Sequence, residues 1–369
     1  MKKKRTIMAL LLSLCLTLAA CQEGGGVSPA PGPASTPTPP ASQEPVDTPL
    51  PTSSPTVVYI NPLTGLEMEQ DLADQKPVAV VLNNLKAAQP QQGNSQADII
   101  YEALAEGGIT RMLAIYQDVS KVPVLGSIRS ARLYYLELAM GHDAVFVHAG
   151  GSPGFYEAQK KWDQNTVDGV NGYYSWSTTK LFWRDSQRVS GHNYKYEHSL
   201  VTSGENLVSM LTERGLLTEH RVGYTYEMDF APEVKLRDGQ TADLVTVPFS
   251  NYKTGVFRYH PASGKYLVEE YGAPYIDGNN DSQVAITNLL ILKTSCKVIP
   301  GDTEGRLDIE LHGGEGWYAC DGKMVPIIWA KGEKGEQIQY FSATGAPLTL
   351  KTGNSYVCIV RDNCRVTAE

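Results

Sequence analysis

Two arginines three positions apart are the strongest candidates for ligand chemistry in this sequence. Arg129 and Arg132 flank a predicted strand-to-helix junction, and residues three apart share one face of a helix. Ser130 could cap that helix, whose free N–H groups would then face an anion. Guanidinium groups bind phosphate and carboxylate bidentately, so the spacing favours an anion site. The alternative is that both arginines form ordinary ion pairs with nearby carboxylates: Glu102, Glu106 or Glu137.

Polar residues near predicted strand ends extend this candidate site. His148 ends an apolar strand just before Gly150-Gly151, and ligands of α/β sheets bind at such ends. His148 or Glu102 could act as a general base, with the arginines stabilising developing charge. The alternative for His148 is a hydrogen-bonded histidine at the rim of the core. The full set of candidate ligand-binding residues is Asn83, Asn84, Glu102, Arg129, Arg132, His148, Ser152, His192 and Asn193.

Residues 150–154 match the Gly-x-Ser-x-Gly pattern of serine hydrolases, with Ser152 at the nucleophile position. Pro153 follows the serine and has no N–H for an oxyanion hole, which argues against that chemistry. Ser152-Pro153 is instead typical of a helix N-cap followed by proline at the first helical position. His192 and Asn193 lie in a glycine-flanked polar loop, for which a solvated loop is the alternative interpretation.

Metal and cofactor motifs are weak or missing from the sequence. It contains neither His-Glu-x-x-His nor Cys-x-x-Cys, and no phosphate-cradling or dinucleotide fingerprint. Residues 277–281 resemble the start of a calcium loop, but Ser282 stands where that loop needs glycine and Asn288 where it needs glutamate. We therefore predict a turn there, with no metal and no cofactor.

The first segment, residues 1–20, has the three parts of a secretory signal. Four basic residues precede an apolar run, residues 7–18, that is shorter than the roughly 20 residues needed to span a bilayer. The run ends in Leu-Ala-Ala followed by Cys21, which is typical of a lipobox. We predict cleavage before Cys21 and lipid on its thiol, which would anchor the chain to the outer face of the cytoplasmic membrane. The alternative is an ordinary signal with an incidental cysteine.

Residues 21–56 are predicted to be the lipidated cysteine and a disordered tether. Residues 22–56 contain ten prolines and no aromatic residue, lysine or arginine, so they cannot bury a core. At about 3.1 Å per residue in the polyproline II conformation, this tether would reach on the order of 100 Å. Removal of residues 1–20 changes the formal net charge from −8 to −12, which excludes nucleic acid as a partner and leaves membrane attachment to the lipid.

The remaining residues, 57–369, predict two parts of different character. Residues 57–221 alternate strand-like runs, such as 77–82, 97–105 and 110–116, with helix-like runs 131–140 and 203–215. This pattern predicts an α+β or α/β domain with a mixed sheet. Residues 222–369 contain short strand-like runs separated by turn signals, which predicts a mainly-β domain, as a sandwich or partly open barrel.

The mature chain keeps four cysteines besides Cys21, all in the second part. They permit two disulfides, and the local pairing would be Cys358–Cys364 and Cys296–Cys320. Free buried thiols are the equally favoured alternative.

Several motifs together resemble the YerB-like family of bacterial lipoproteins. They are residues 61–66 (NPLTGL), 80–84 (VVLNN), 95–102 (SQADIIYE), 127–132 (SIRSAR) and 147–152 (VHAGGS). The resemblance runs from about residue 61 to residue 361 and includes the strand-rich part, for example residues 286–292. The family is described as a domain of unknown function in N-terminal and C-terminal parts. Membership implies an envelope location and the same two-part fold, and it implies no activity.

A second, fainter similarity concerns residues 97–100 and the arginine-bearing stretch that follows them. They are similar to enzymes that transfer glycopolymers from polyprenyl phosphate to the cell wall and hold pyrophosphate with arginines. Arg129-Ser130 stands where those enzymes have Arg-Asp, which is a departure from their pattern.

From these features we predict a lipid-anchored, extracytoplasmic protein that binds an anionic ligand of the cell envelope or a wall-synthesis protein. The ligand would be a cell-wall precursor, a polyprenyl phosphate or a peptide carboxylate. The alternative function is a wall transferase or hydrolase that acts on polyprenyl-phosphate-linked precursors.

The lipid on Cys21 is the first testable prediction. We expect Cys21→Ala to move the protein from the detergent phase to the aqueous phase in Triton X-114 partitioning of whole cells, because the lipid is the expected membrane attachment. Cys364→Ala, in the second part of the chain, is the matched control and should stay in the detergent phase. Detergent partitioning of Cys21→Ala equal to that of the wild type would contradict the prediction.

Overall fold

The computed structural model describes residues 57–170, 181–191 and 195–369. The predicted signal peptide, the tether with Cys21, and the candidate residues His192 and Asn193 lie outside the described residues. None of the helices in the described ranges is long and apolar enough to cross a membrane.

Three α-helices lie within the described residues. They are α1 (Leu133–Gly141), α2 (Pro153–Lys161) and α3 (Gly204–Glu213). Single helical turns connect other elements: Lys86–Ala88, Asn94–Gln96, Glu106–Gly108, Val119–Lys121, Gln187–Gly191 and Tyr196–His198.

Most of the remaining regular structure is strand, numbered here along the chain. A large mixed sheet has eleven strands in the described residues: β3 (Val78–Asn83), β4 (Ile99–Leu104), β5 (Thr110–Tyr116), β7 (Val145–His148), β8 (Thr166–Asp168), β12 (Gln240–Thr241), β18 (Asn288–Thr294), β21 (Gly313–Cys320), β22 (Lys323–Ala330), β23 (Gln339–Ser342) and β25 (Ser355–Arg361).

A smaller antiparallel sheet comes from the second part alone. Its six strands are β13 (Leu244–Pro248), β14 (Thr254–His260), β15 (Lys265–Glu270), β16 (Ala273–Pro274), β17 (Ala285–Ile286) and β26 (Thr367–Ala368). Four small sheets complete the described strands: β1 (Tyr59–Ile60) with β2 (Glu67–Met68); β6 (Leu125–Gly126) and β9 (Trp183–Arg184) with β10 (Leu200–Thr202); β11 (Asp229–Ala231) with β24 (Thr349–Lys351); and β19 (Cys296–Val298) with β20 (Leu307–Ile309).

The large sheet crosses from one part of the chain to the other. Its order is β12-β22-β21-β18-β25-β4-β5-β3-β7-β8, with β23 on β22. The join is the parallel pair β25–β4, in register from Ser355 opposite Ile99 to Ile359 opposite Ala103. The second part therefore does not close a sandwich or barrel of its own, because β25, the last of its strands in the large sheet, pairs with β4 of the first part. The predicted character of each part is confirmed: an N-terminal mixed sheet with few helices and a mostly-strand C-terminal region.

Strands β3, β4 and β5 are buried along their whole length. A strand covered on both faces needs an almost continuous apolar run, which is the pattern that predicted all three from the sequence. The cap of α2 follows the prediction, and α3 has a serine cap of the same kind. Ser152 Oγ accepts the N–H of Phe155, and Ser203 Oγ accepts the N–H of Asn206. Strong local signals thus gave the correct elements.

Strand β21 was not predicted from the sequence, because it contains three glycines and glycine is disfavoured in strands. In the structure its glycines are required by close approach of the neighbouring strand. A Cβ on Gly314 would lie 2.5 Å from the carbonyl oxygen of Lys293, and a Cβ on Gly316 would lie 2.3 Å from that of Ile291. These glycines allow β21 to pair with β18 in the large sheet.

Residues 277–281 form the predicted turn. The Asp277 carboxylate accepts hydrogen bonds from the N–H groups of Gly93 and Ser95 and from Ser95 Oγ. This carboxylate therefore docks the turn onto the first part of the chain, across a long sequence separation.

The four cysteines of the second part are free thiols. Cys296, Cys320 and Cys358 are buried, and Cys364 is partly exposed. Burial raises the pKa of Cys296 to about 12 and that of Cys320 to about 11, which keeps both thiols protonated at neutral pH. The free-thiol alternative is thus the one that the structure contains.

The shared sheet predicts that both parts unfold together. Ile359 is fully buried at the β25–β4 join, so Ile359→Ala should lower the free energy of unfolding by about 2–5 kcal/mol. Urea unfolding should remain a single transition. Ile328→Ala is the matched control, because Ile328 is a strand isoleucine with 43% of its surface exposed, and its effect should be small. Two separated transitions, one for each part, would contradict a shared core.

Candidate functional site

Four strands of the first part end at the same edge of the large sheet. Strands β3, β4, β7 and β8 run in one direction, so their carboxyl ends lie together. The segment after β6 crosses this edge, where Ile128 pairs with Leu82 and Ala131 pairs with Gly151. Ligands of such sheets bind beyond the carboxyl ends of the strands, so this edge is where the candidate site is expected.

An arginine cluster occupies this edge and is centred on Glu106. The Glu106 carboxylate accepts Nη2 of Arg111 at 2.6 Å and Nη2 of Arg132 at 2.6 Å through the same oxygen. Nε of Arg132 reaches the other oxygen at 3.2 Å. Arg111 and Arg132 are both buried, each 6% exposed. Ion pairing with Glu106 was the alternative considered for Arg132, and the structure contains that pair.

The closely spaced guanidiniums of the cluster shift the pKa values of its members. Burial would raise the pKa of Glu106, but the Arg111 and Arg132 guanidiniums outweigh it and lower that pKa to about 2. Burial and the neighbouring charge of Arg132 lower the pKa of Arg111 to about 10, and Arg129 adds to the effect. One carboxylate therefore neutralises only part of the charge of three arginines.

Arg129 is the solvent-facing member of the cluster. It is half-buried, and its Nη1 donates to the carbonyl oxygen of Glu197 at 3.1 Å. Burial lowers its pKa, Glu197 and Glu106 act in the opposite direction, and Arg132 and Arg184 add repulsion. Arg129 thus joins the buried pair to the surface of the protein.

Ser130 does not cap helix α1, contrary to the prediction. The N-cap residue is Arg132, and it makes no side-chain capping hydrogen bond. The carbonyl oxygen of Ser130 instead accepts Nη1 of Arg111 at 2.9 Å, while Nη1 of Arg132 donates to the carbonyl of Ala131 at 2.8 Å. The backbone before α1 therefore positions the arginine side chains.

His148 is fully buried, and both of its ring nitrogens are engaged. Nδ1 lies 2.8 Å from the carbonyl oxygen of Gly150, and Nε2 lies 2.8 Å from Thr166 Oγ1. Burial lowers its pKa, with Asp168 acting in the opposite direction. This is the arrangement of a structural histidine at a strand end, which was the alternative interpretation of the sequence.

Asn83 belongs to a second group at the same edge. Its Nδ2 lies 3.1 Å from His198 Nδ1 and 3.2 Å from Ser127 Oγ, while its Oδ1 accepts the N–H of Leu85. Burial lowers the pKa of His198, and the charge of Arg129 lowers it further, so His198 neighbours the arginine cluster. His198 was not among the candidate ligand-binding residues of the sequence.

Asn84 and Glu102 lie in a different, fully buried network that joins the two sheets. Lys253 Nζ is 2.9 Å from Glu102 Oε1 and 2.9 Å from Glu270 Oε1. Nδ2 of Asn84 donates to the same two oxygens, at 2.8 and 3.0 Å. Thr110 and Tyr356 donate to Glu102 at 2.6 Å each. We call this set the inter-sheet network.

The candidate residues are thus divided rather than gathered into one cleft. Arg129 and Arg132 share the arginine cluster, and Asn83 lies beside it. Asn84 and Glu102 are fully buried between the sheets. Ser152 Oγ caps α2, and His148 is bound within the β7–β8 edge.

Sequence reasoning missed three important residues: Arg111, Lys253 and Glu270. Arg111 stands inside an apolar strand run, and a charged residue in a buried strand is a signal that could have found it. Glu270 shares a face of β15 with the buried Tyr266 and Val268, so strict alternation places it in the interior. Lys253 lies in a turn before β14 and carries no comparable local signal.

Family models, a curated relative and a solved structure all place this chain in the same family. The family model "Protein of unknown function (DUF3048) N-terminal domain" matches residues 63–216, and the corresponding C-terminal domain matches residues 245–357. The chain is 34% identical over 271 residues to "Putative lipoprotein YerB" of Bacillus subtilis (strain 168), which covers 73% of this chain and 77% of that protein. The crystal structure of the YerB protein from Bacillus subtilis superimposes with a TM-score of 0.70 at 30% identity, covering 84% of this chain and 99% of that chain. The resemblance predicted from the motifs is confirmed.

The Glu106 ion pairs predict a characteristic acid dependence. Because the folded-state pKa is lowered from 4.5 to about 2, Glu106 stabilises the fold above pH 4.5, and this contribution is lost as the pH falls towards 2. Glu106→Gln should therefore lower the free energy of unfolding by about 2–3 kcal/mol at pH 7 and by much less at pH 2. Urea unfolding across this pH range measures the difference.

Glu69→Gln is the matched control for that series. Glu69 pairs with Lys121 in an exposed ion pair, so its replacement should change stability little at any pH. A Glu106→Gln effect of equal size at pH 2 and pH 7 would contradict the ion-pair origin.

Proposed function

The chain belongs to the DUF3048 family of proteins of unknown function, and from this membership and the arginine cluster we propose that it is an envelope lipoprotein that binds an anionic ligand. In this proposal the binding surface lies in the part that comprises residues 57–221. Residues 222–369 complete the large sheet and support that surface.

The location rests on the first segment of the sequence. The basic residues, the short apolar run and Cys21 together favour cleavage and lipidation at Cys21. The Bacillus subtilis relative is named as a putative lipoprotein, which supports the same cellular location for this chain. Lipid on Cys21 and the proline-rich tether would hold the folded unit near the outer face of the cytoplasmic membrane.

The single observation that carries the binding proposal is the excess of positive charge around Glu106. Three guanidiniums lie around the central Glu106 carboxylate at the carboxyl edge of the sheet, and burial, with added repulsion from Arg132 and Arg129, lowers the pKa of Arg111. An added anion beside Arg129 would relieve that repulsion. Guanidiniums bind phosphate and carboxylate bidentately, so these groups are the ligand chemistry that fits.

Binding is favoured over catalysis because the two proposed general bases are committed to structural contacts. Glu102 accepts four hydrogen bonds or ion pairs inside the inter-sheet network. His148 has a partner within 2.8 Å of each ring nitrogen. A general base needs free access to a substrate proton, so neither residue supports the transferase or hydrolase alternative.

The ligand class follows from the location and the charge. Among the molecules of a cell envelope, polyprenyl-phosphate-linked wall precursors carry phosphate groups and wall peptides carry carboxylates. A polyprenyl diphosphate offers two adjacent negative charges to Arg129, the solvent-facing member of the cluster, so we take it as the first probe.

Binding of a short-chain polyprenyl diphosphate tests the proposal. We expect saturable binding to the wild type by isothermal titration calorimetry, a loss of affinity of at least about tenfold for Arg129→Ala, and weaker binding at higher salt because the contact is ionic. Arg129→Lys should retain part of the affinity, because lysine keeps the positive charge but cannot form the two parallel hydrogen bonds of a guanidinium.

Arg258→Ala is the matched control, because Arg258 is an exposed arginine of β14 paired with Glu269 and distant in sequence from the cluster. It should bind like the wild type. Equal binding by Arg129→Ala and the wild type would refute the site. Release of phosphate or transfer of the polyprenyl group during the titration would favour the enzymatic alternative.

A further inference from the structure

Two neighbouring side chains of the inter-sheet network carry groups that can react with each other. Lys253 Nζ and Asn84 Nδ2 contact the same two carboxylate oxygens, Glu102 Oε1 and Glu270 Oε1, at distances of 2.8–3.0 Å. Two nitrogens that share both acceptors are neighbours. The amine of a lysine and the amide carbon of an asparagine are the reactants of an isopeptide bond.

We propose that Lys253 and Asn84 form an intramolecular isopeptide bond, with Glu270 as the group that transfers the protons. The bond would join the segment after β3 to the segment before β14. It would therefore link the large sheet covalently to the smaller one. The inference is independent of the proposed ligand-binding function.

The atoms of the reaction balance without an added reagent. The Lys253 ammonium gives a proton to Glu270, and the neutral Nζ attacks Cγ of Asn84. The bond between Nζ and Cγ forms, and the bond between Cγ and Nδ2 breaks. Nζ loses two protons in total: one is delivered to Nδ2, which leaves as ammonia, and the other remains on Glu270. The net charge of the network is the same before and after the reaction.

Glu270 is placed to serve both nitrogens. Its Oε1 lies 2.9 Å from Nζ and 3.0 Å from Nδ2, so one oxygen can accept a proton from the first and donate it to the second. Burial raises the pKa of Glu270, with Lys253 acting in the opposite direction and Glu102 adding to the rise. A carboxyl group with a raised pKa accepts a proton more readily, and its position between the two nitrogens lets it pass that proton on.

Glu102 has a different role from Glu270 in the proposed reaction. Its oxygens accept hydrogen bonds from Thr110 and Tyr356 in addition to Lys253 and Asn84. These contacts fix the Glu102 side chain, so Glu102 holds the reacting nitrogens in place while Glu270 exchanges protons.

The surroundings favour the reaction over hydrolysis. Lys253, Asn84 and Glu102 are fully buried, and Glu270 is 1% exposed. Nζ of Lys253 lies 5.3 Å from the ring of Phe249 and 5.5 Å from that of Tyr271, which helps to exclude water. Asn84 Oδ1 is buried without a hydrogen-bond partner among the described residues, so no contact there anchors the amide in its unreacted form. Fixed neighbouring reactants gain the large rate advantage of an intramolecular reaction.

Peptide mapping of the full-length purified protein tests the proposal. After denaturation and proteolysis, mass spectrometry should find one linked species that contains both the Asn84 peptide and the Lys253 peptide. Its mass should be lower than the sum of the two peptides by one ammonia molecule. Recovery of both peptides only in unlinked form from the folded wild type would overturn the proposal.

Four variants test the assigned roles. Glu270→Gln should lose the linked species, whereas Glu269→Gln, the neighbouring and more exposed glutamate, should keep it. Asn84→Asp should yield a linked species whose mass is lower by one water molecule, because the leaving group changes. Normal linkage in Glu270→Gln would overturn the role of Glu270, and linkage in Lys253→Arg would overturn the identity of the amine. The wild-type map decides the question even if a variant does not fold.

Discussion

A buried ammonium group between two sheets is the constraint on which the rest of this fold depends. Transfer of an isolated charge from water to a protein interior costs several kcal/mol, and only a complete set of partners offsets that cost. Lys253 finds its partners on both sides: Glu102 on β4 of the large sheet and Glu270 on β15 of the smaller one. Separation of the sheets would leave these charges without compensation, so the two sheets must remain packed together.

The arginine cluster differs from the inter-sheet network in both its charge and its exposure to solvent. Around Glu106 the guanidiniums outnumber the carboxylate, and Arg129 extends the cluster towards solvent. The inter-sheet network is closed and rich in carboxylates, whereas the arginine cluster is open and has an excess of positive charge. Closure suits a structural role and open excess charge suits a ligand, which is why we place binding at the cluster.

The two family domains are separate in sequence, but one large sheet contains strands from both. The family models divide the sequence at residues 216 and 245, and the strands on either side differ in the way the sequence predicted. Yet β25 lies between β18 and β4, in parallel with both. The boundary that exists in sequence is therefore crossed by hydrogen bonds in space, and the carboxyl edge that carries the arginine cluster is supported by strands from the second part.

The sequence by itself determined the features whose causes are local. The apolar runs of β3, β4 and β5, the Ser152 cap before Pro153, and the signal with Cys21 depend on residues close together in the chain. The tertiary structure alone decided the pairing of β25 with β4, the sharing of Glu106 by Arg111 and Arg132, and the meeting of Lys253 with Glu102. Those contacts join distant residues, and periodicity or capping carries no information about which distant partner a strand or a charge will find.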